Sequence, residues 1–125
     1  MRTSFTTLCF VACLLCVGCA HRFSGNFAFK NSSSTQIWAE VTGLEYPPPA
    51  GALIPGATKT AHMYPMRLPG EVTLLWVEGA KYWPRADEQT RTNISLSALP
   101  QFPGSGRLTF EFTPDRFWRV IYEPR

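Results

Sequence analysis

Residues 71–78 read Glu71-Val72-Thr73-Leu74-Leu75-Trp76-Val77-Glu78. Under the two-residue period of a strand, Val72, Leu74 and Trp76 point one way and Thr73, Leu75 and Val77 the other. Apolar residues on both faces need cover on both faces, so the segment predicts a central strand. Pro69-Gly70 stands before it and Gly79 after it, leaving room for eight residues.

The same alternation recurs on either side. Asn26 to Lys30 starts a first strand with Phe27 and Phe29 on one face. Asn31-Ser32-Ser33-Ser34-Thr35 is turn chemistry, its short polar side chains able to bond the local backbone. Gln36 to Leu44 places Ile37, Ala39 and Val41 opposite Trp38, Glu40 and Thr42, which predicts a hairpin between the first two strands. Pro47-Pro48-Pro49 cannot enter a central strand, so Glu45 to Gly51 is an extended connection. Ala52 to Ile54 is a brief strand stopped by Pro55-Gly56. Ala57 to Met63 is another short strand, and Pro65 to Gly70 a loop.

Beyond the opening stretch, Gly79 to Gln89 is a loop, and Thr90 to Leu99 alternates through Thr92, Ile94 and Leu96. Pro100 to Gly106 reads as a flexible connection. Leu108, Phe110 and Phe112 then alternate, Thr113-Pro114-Asp115-Arg116 turns the chain, and Phe117 to Tyr122 returns with Trp118, Val120 and Tyr122 on one face. About seven short, mostly antiparallel strands between frequent turns predict an all-β domain, a single small β-sandwich over residues 26–125. All eleven prolines lie in this region, a density that breaks helices.

The start of the chain has another character. Arg2 is followed by an uncharged apolar run, Leu8 to Val17, with the length of a signal-peptide core and about half that of a spanning helix. It ends Leu15-Cys16-Val17-Gly18-Cys19, where the pattern resembles a bacterial lipobox, although Cys16 stands where leucine is preferred. Residues 1–18 are therefore expected to be a lipoprotein signal peptide, Cys19 the lipidated residue, and residues 19–25 the lipidated cysteine and tether. The rival cut uses Gly18 and Ala20 as its small pair and releases a soluble chain from His21. If Cys19 carries lipid, no disulfide or thiolate metal site remains, since all four cysteines lie in the first nineteen residues. By resemblance to sorted lipoproteins, Ala20 replaces the inner-membrane retention aspartate. The expected address is the cell envelope, at the outer membrane facing the periplasm where the organism has one.

Composition narrows the function classes. After Arg2 is lost, eleven Lys and Arg face nine Asp and Glu, spread evenly, which is no electrostatic footprint for nucleic acid. His21 and His62 carry no paired ligand spacing, so neither metal nor cofactor is expected. Ser105 in Pro103-Gly104-Ser105-Gly106 lacks the outer glycine spacing and following helix of a nucleophile elbow. Asp87-Glu88 and Glu111 with Asp115 are close carboxylates, with Glu111 at an outward strand position where the group stays solvated. No catalytic residue or small-molecule substrate is expected, and the chain does not read as an enzyme. Loops hold the partner-binding candidates. Tyr82 and Trp83 precede Pro84 on a turn and suit a protein interface, unless Trp83 plugs one end of the sandwich. Met63 and Tyr64 form either an adaptable contact surface or part of the core.

The order Phe29-Lys30-Asn31-Ser32, Pro55-Gly56, Leu68-Pro69 and Val72 to Trp76 carries a resemblance, which continues through Gly106 to Phe110, Pro114-Asp115 and Trp118-Arg119-Val120. It resembles small bacterial lipoproteins of uncharacterised β-rich families, some encoded beside type VI secretion phospholipase effectors as immunity proteins. The resemblance implies an envelope lipoprotein held at the membrane through Cys19 that binds a protein partner, such as a toxin it neutralises. It supplies no catalytic residue. The alternative is a structural accessory lipoprotein of an envelope or secretion assembly.

Overall fold

The computed structural model describes residues 23–79, 83–97, 99 and 104–124. Eight strands follow one another: β1 Phe23–Asn31, β2 Ile37–Thr42, β3 Gly51–Leu53, β4 Thr58–Met66, β5 Glu71–Glu78, β6 Thr90–Ser95, β7 Gly104–Phe112 and β8 Trp118–Pro124. A single 3-10 turn at Ala86–Glu88 interrupts them. The strands form two four-stranded sheets, ordered β4-β1-β7-β8 and β3-β2-β5-β6. The fold is an all-β sandwich, with β5 inside its sheet as its two apolar faces require. All pairings are antiparallel except β1 with β7, which run parallel from Phe23↔Gly104 to Asn31↔Phe112.

The core is the sum of the inward-facing alternations. Phe27 and Phe29 on β1, with Leu108, Phe110 and Phe112 on β7, meet Ile37, Ala39 and Val41 of β2 and Val72 and Leu74 of β5. Phe27 stacks on Phe110 with ring centroids 4.7 Å apart. Burying such side chains contributes roughly 1.5–3 kcal/mol each, the main term holding the sheets together in a chain this small.

The expected hairpin between β1 and β2 does not form. The strands lie in different sheets, so their apolar faces oppose one another across the core instead of sharing one surface. Asn31 makes the crossover possible. Fully buried, it donates through Nδ2 to the carbonyls of Thr35 (2.8 Å) and Leu53 (3.0 Å), while its Oδ1 accepts from the Ser33 amide and hydroxyl. The turn is therefore fastened inside the protein.

Several strand boundaries also differ from expectation, and three of them have a cause in the packing. Strand β1 begins at Phe23, inside the stretch assigned to the tether, because Phe23 is buried and meets the edge of Tyr122. Strand β7 begins at Gly104, so the connection expected to reach Gly106 gives way to strand there. The parallel pairing explains it, since Gly25 and Gly106 are register partners at very close range. Gly25 has φ +146°, and a Cβ there would fall into the Gly106 carbonyl. One on Gly106 would lie 2.6 Å from the Glu123 carbonyl oxygen. Strand β4 runs on through Pro65 to Met66, which an edge strand tolerates because its outer amides need no partner.

Candidate functional site

Strand directions give the sandwich two distinct ends. Strands β1 and β7 leave the end that holds Phe23, where Met66 is the β1 partner and Thr42 and Thr73 pair on the other sheet. They arrive at the far end, which holds the Asn31 turn, Ile54 to Ala57, Glu78-Gly79 and the Thr113 to Phe117 turn. Backbone bonds tie these together, among them Ser32 amide to Phe112 carbonyl and Gly79 amide to Gln36 carbonyl.

The loop candidate Trp83 follows the far end of β5. Trp38, on the outer face of β2, lies under Trp83 with ring centroids 5.1 Å apart and planes at 64°. Trp38 is buried, whereas Trp83 is 64% exposed. Trp83 therefore packs onto the outer face of the second sheet and does not plug the core. Pro84 is buried, with its carbonyl accepting from Gln89 Nε2. Ion pairs of Arg85 with Asp87 and Glu88 keep those carboxylates at the surface. Tyr82 lies outside the described residues, as does Cys19.

Met63 and Tyr64 separate sharply. Met63 is 3% exposed and belongs to the core, while Tyr64 is 70% exposed. The pairing of β1 with β4 passes from Gly25↔Met63 to Phe23↔Met66, so β4 carries an extra residue within Tyr64-Pro65. Tyr64 follows inward-facing Met63 and so faces outward by alternation, while the bulge returns Met66 to the core. Its ring lies 5.6 Å from that of Tyr46, which is 48% exposed. Tyr46 escaped the sequence reading, although an aromatic just before three prolines, in a segment barred from the sheet, is a signal for exposure. The two tyrosines flank a groove of about 350 Å³ lined by Glu45, Pro47 to Pro49, Ala61 and His62.

Glu111 corrects the expectation of a solvated carboxylate. It is 4% exposed on the outer face of the first sheet. Register places it between Lys30 on β1 and Arg119 on β8. The Arg119 guanidinium donates to Oε1, the Ser32 hydroxyl donates to Oε2 at 2.5 Å, and Lys30 Nζ lies 3.8 Å away. Burial pushes the carboxyl upward, but the Ser32 and Arg119 hydrogen bonds and the two cations outweigh it and hold Glu111 below its ordinary range. Such a carboxylate fastens three strands and is held ionised, unsuited to donating a proton. Ser105 takes part in the parallel pairing with Ser24. Among the described residues, no group of three or more His, Cys, Asp or Glu lies close enough to hold a metal ion.

No family model matches the chain, and a search of curated proteins finds no match. A solved NMR structure of a protein from Eubacterium rectale is similar in backbone, at 8% identity over 79% of this chain and 87% of that one, with a TM-score of 0.43.

Proposed function

We propose that the protein is a membrane-anchored envelope lipoprotein whose sandwich domain is a non-enzymatic module for binding a protein partner. Val17-Gly18-Cys19 after an apolar core supports the anchor. The observation that carries the binding half is Trp83, a large aromatic left 64% exposed yet oriented by a buried Trp38 beneath it. An anchor of this kind loses little conformational freedom on binding, which is why tryptophan dominates interface energetics. Neutralisation of a toxin is the partner relationship that the resemblance implies.

Crosslinking and mass spectrometry on cells carrying the full chain, beside the Trp83→Ala form, tests the reading. A protein captured by the parent and lost from a variant of equal abundance supports it. Equal capture by both forms removes Trp83 from the interface.

A further inference from the structure

Exposed aromatics stand at both ends of the sandwich, Tyr46 and Tyr64 at one and Trp83 and Phe117 at the other, and β1 enters at the tyrosine end. Strand β1 starts at Phe23, four residues after Cys19. Four residues reach at most about 14 Å when fully extended. Phe23 pairs with Met66 across β1 and β4, and Tyr64 is held in the bulge beside that pair. Neighbouring strands are about 4.8 Å apart, so a lipid on Cys19 lies within roughly 20 Å of the Tyr64 backbone.

We infer that the end bearing Tyr46 and Tyr64 rests on the bilayer surface, its two rings seated among the lipid headgroups, while the Trp83 end points away from the membrane. The inference rests on the lipid anchor proposed at Cys19. Tyrosine suits the position because its apolar ring enters the interfacial zone while its hydroxyl stays hydrated. Pro47 to Pro49 extend the same surface without adding charge, and they line the groove with both tyrosines. Exposed Arg67 shares this end with exposed Glu45 and Glu71, so its charges largely cancel and net attraction to anionic headgroups is not what holds it there. Alternation after buried Met63 directs Tyr64 outward at the strand end nearest the anchor, and the bulge at Tyr64-Pro65 returns Met66 to the core beside it.

The orientation separates two tasks. A short tether keeps the tyrosine end against lipid, leaving the opposite end free for a partner that arrives from the aqueous side. Exposed Ile54 belongs to that opposite end, in the turn before Ala57, whose carbonyl accepts from the Asn31 amide.

The test uses the full chain, purified with its lipid and reconstituted into phosphatidylcholine vesicles. Once Cys19 carries lipid, a cysteine introduced at Tyr64, Ile54 or Trp83 is the only free thiol of the mature chain, because the other cysteines precede Cys19. All three positions are exposed, so the substitutions leave the core intact. A polarity-sensitive fluorophore on Tyr64→Cys is expected to shift to the blue and to lose at least half its emission to nitroxide-labelled lipids. On Ile54→Cys and Trp83→Cys it is expected to be unaffected by them and quenched by aqueous iodide. A lipidated, vesicle-bound chain whose position 64 is quenched by iodide alone overturns the orientation and leaves the anchor standing. The orientation is equally overturned if all three positions respond alike, or if position 64 is shielded from both quenchers by a protein or ligand in the groove. A chain that carries no fatty acid and does not float with the vesicles overturns the anchor and the orientation together.

Discussion

Trp83 stands edge-on over Trp38, so that an exposed ring covers a buried one on the outer face of a sheet. The contact is local and leaves the core untouched. Trp83→Ala is therefore expected to lower unfolding stability by no more than about 1 kcal/mol, the scale of one aromatic pair. Partner affinity should fall by about 2 kcal/mol or more. Denaturant unfolding and binding measured on the same variant separate the two effects. A large loss of stability without loss of affinity would make the loop a structural cover.

Gly25 and Gly106 approach too closely for any side chain between the parallel strands β1 and β7. Gly25→Ala must both adopt a positive φ and push the strands apart. It should cost on the order of 3 kcal/mol, as expected for strain at a special backbone position. Urea titration checks this, and a cost below about 1 kcal/mol would mean the strands are not paired in this register.

Glu111 predicts a pH dependence. Its carboxyl is lowered in the folded protein, so its contribution is fully present above the unfolded carboxyl value near 4.3, and it is lost as pH falls through the folded value. Glu111→Gln should cost about 1–2 kcal/mol at neutral pH, since Arg119 and Lys30 are half exposed and regain water. The variant's disadvantage should shrink steadily below about pH 4. An undiminished gap at pH 2 would count against the ionised triad.

Trp76 is less buried than a core anchor on a central strand would be, and it packs against the core with its ring centroid 5.0 Å from that of Phe112. Its indole N–H donates to Thr92 Oγ1 at 2.9 Å, joining β5 to β6. Trp76→Ala is expected to cost about 3 kcal/mol, at the lower end for a large aromatic. Trp76→Phe should cost about 1 kcal/mol, the worth of the hydrogen bond. Equal losses in the two variants by chemical denaturation would remove the ring packing from the account.

The period-two alternation made the strands legible. β5 has the bounds that Glu71 and Glu78 mark, and the β7–β8 hairpin turns where Thr113-Pro114-Asp115-Arg116 stand. Which strands pair was not legible. Phe27, Phe29, Ile37 and Val41 show only that each strand has an apolar face, and two such faces can lie side by side or opposite. The choice depends on Asn31, whose partner Leu53 lies 22 residues away. Glu111 was misjudged for a similar reason. Its burial comes from Lys30 and Arg119 on neighbouring strands, and register brings them together only after folding. Among the candidate site residues, the loop position of Trp83 left interface and plug both open, and only its contact with Trp38 on the outer face decides between them. Alternation separates Met63 from Tyr64, but which of the two faces the core is set by the pairing of β4 with β1.

The proposed address depends on Cys19, and intact mass analysis of the mature protein with fatty-acid labelling tests it most directly. The expected result is a chain beginning at Cys19, labelled, and found with membranes. Cys19→Ser should abolish the label and move the protein to the soluble fraction. A wild-type chain that begins at His21 without fatty acid, or a label that survives in Cys19→Ser, would contradict the account.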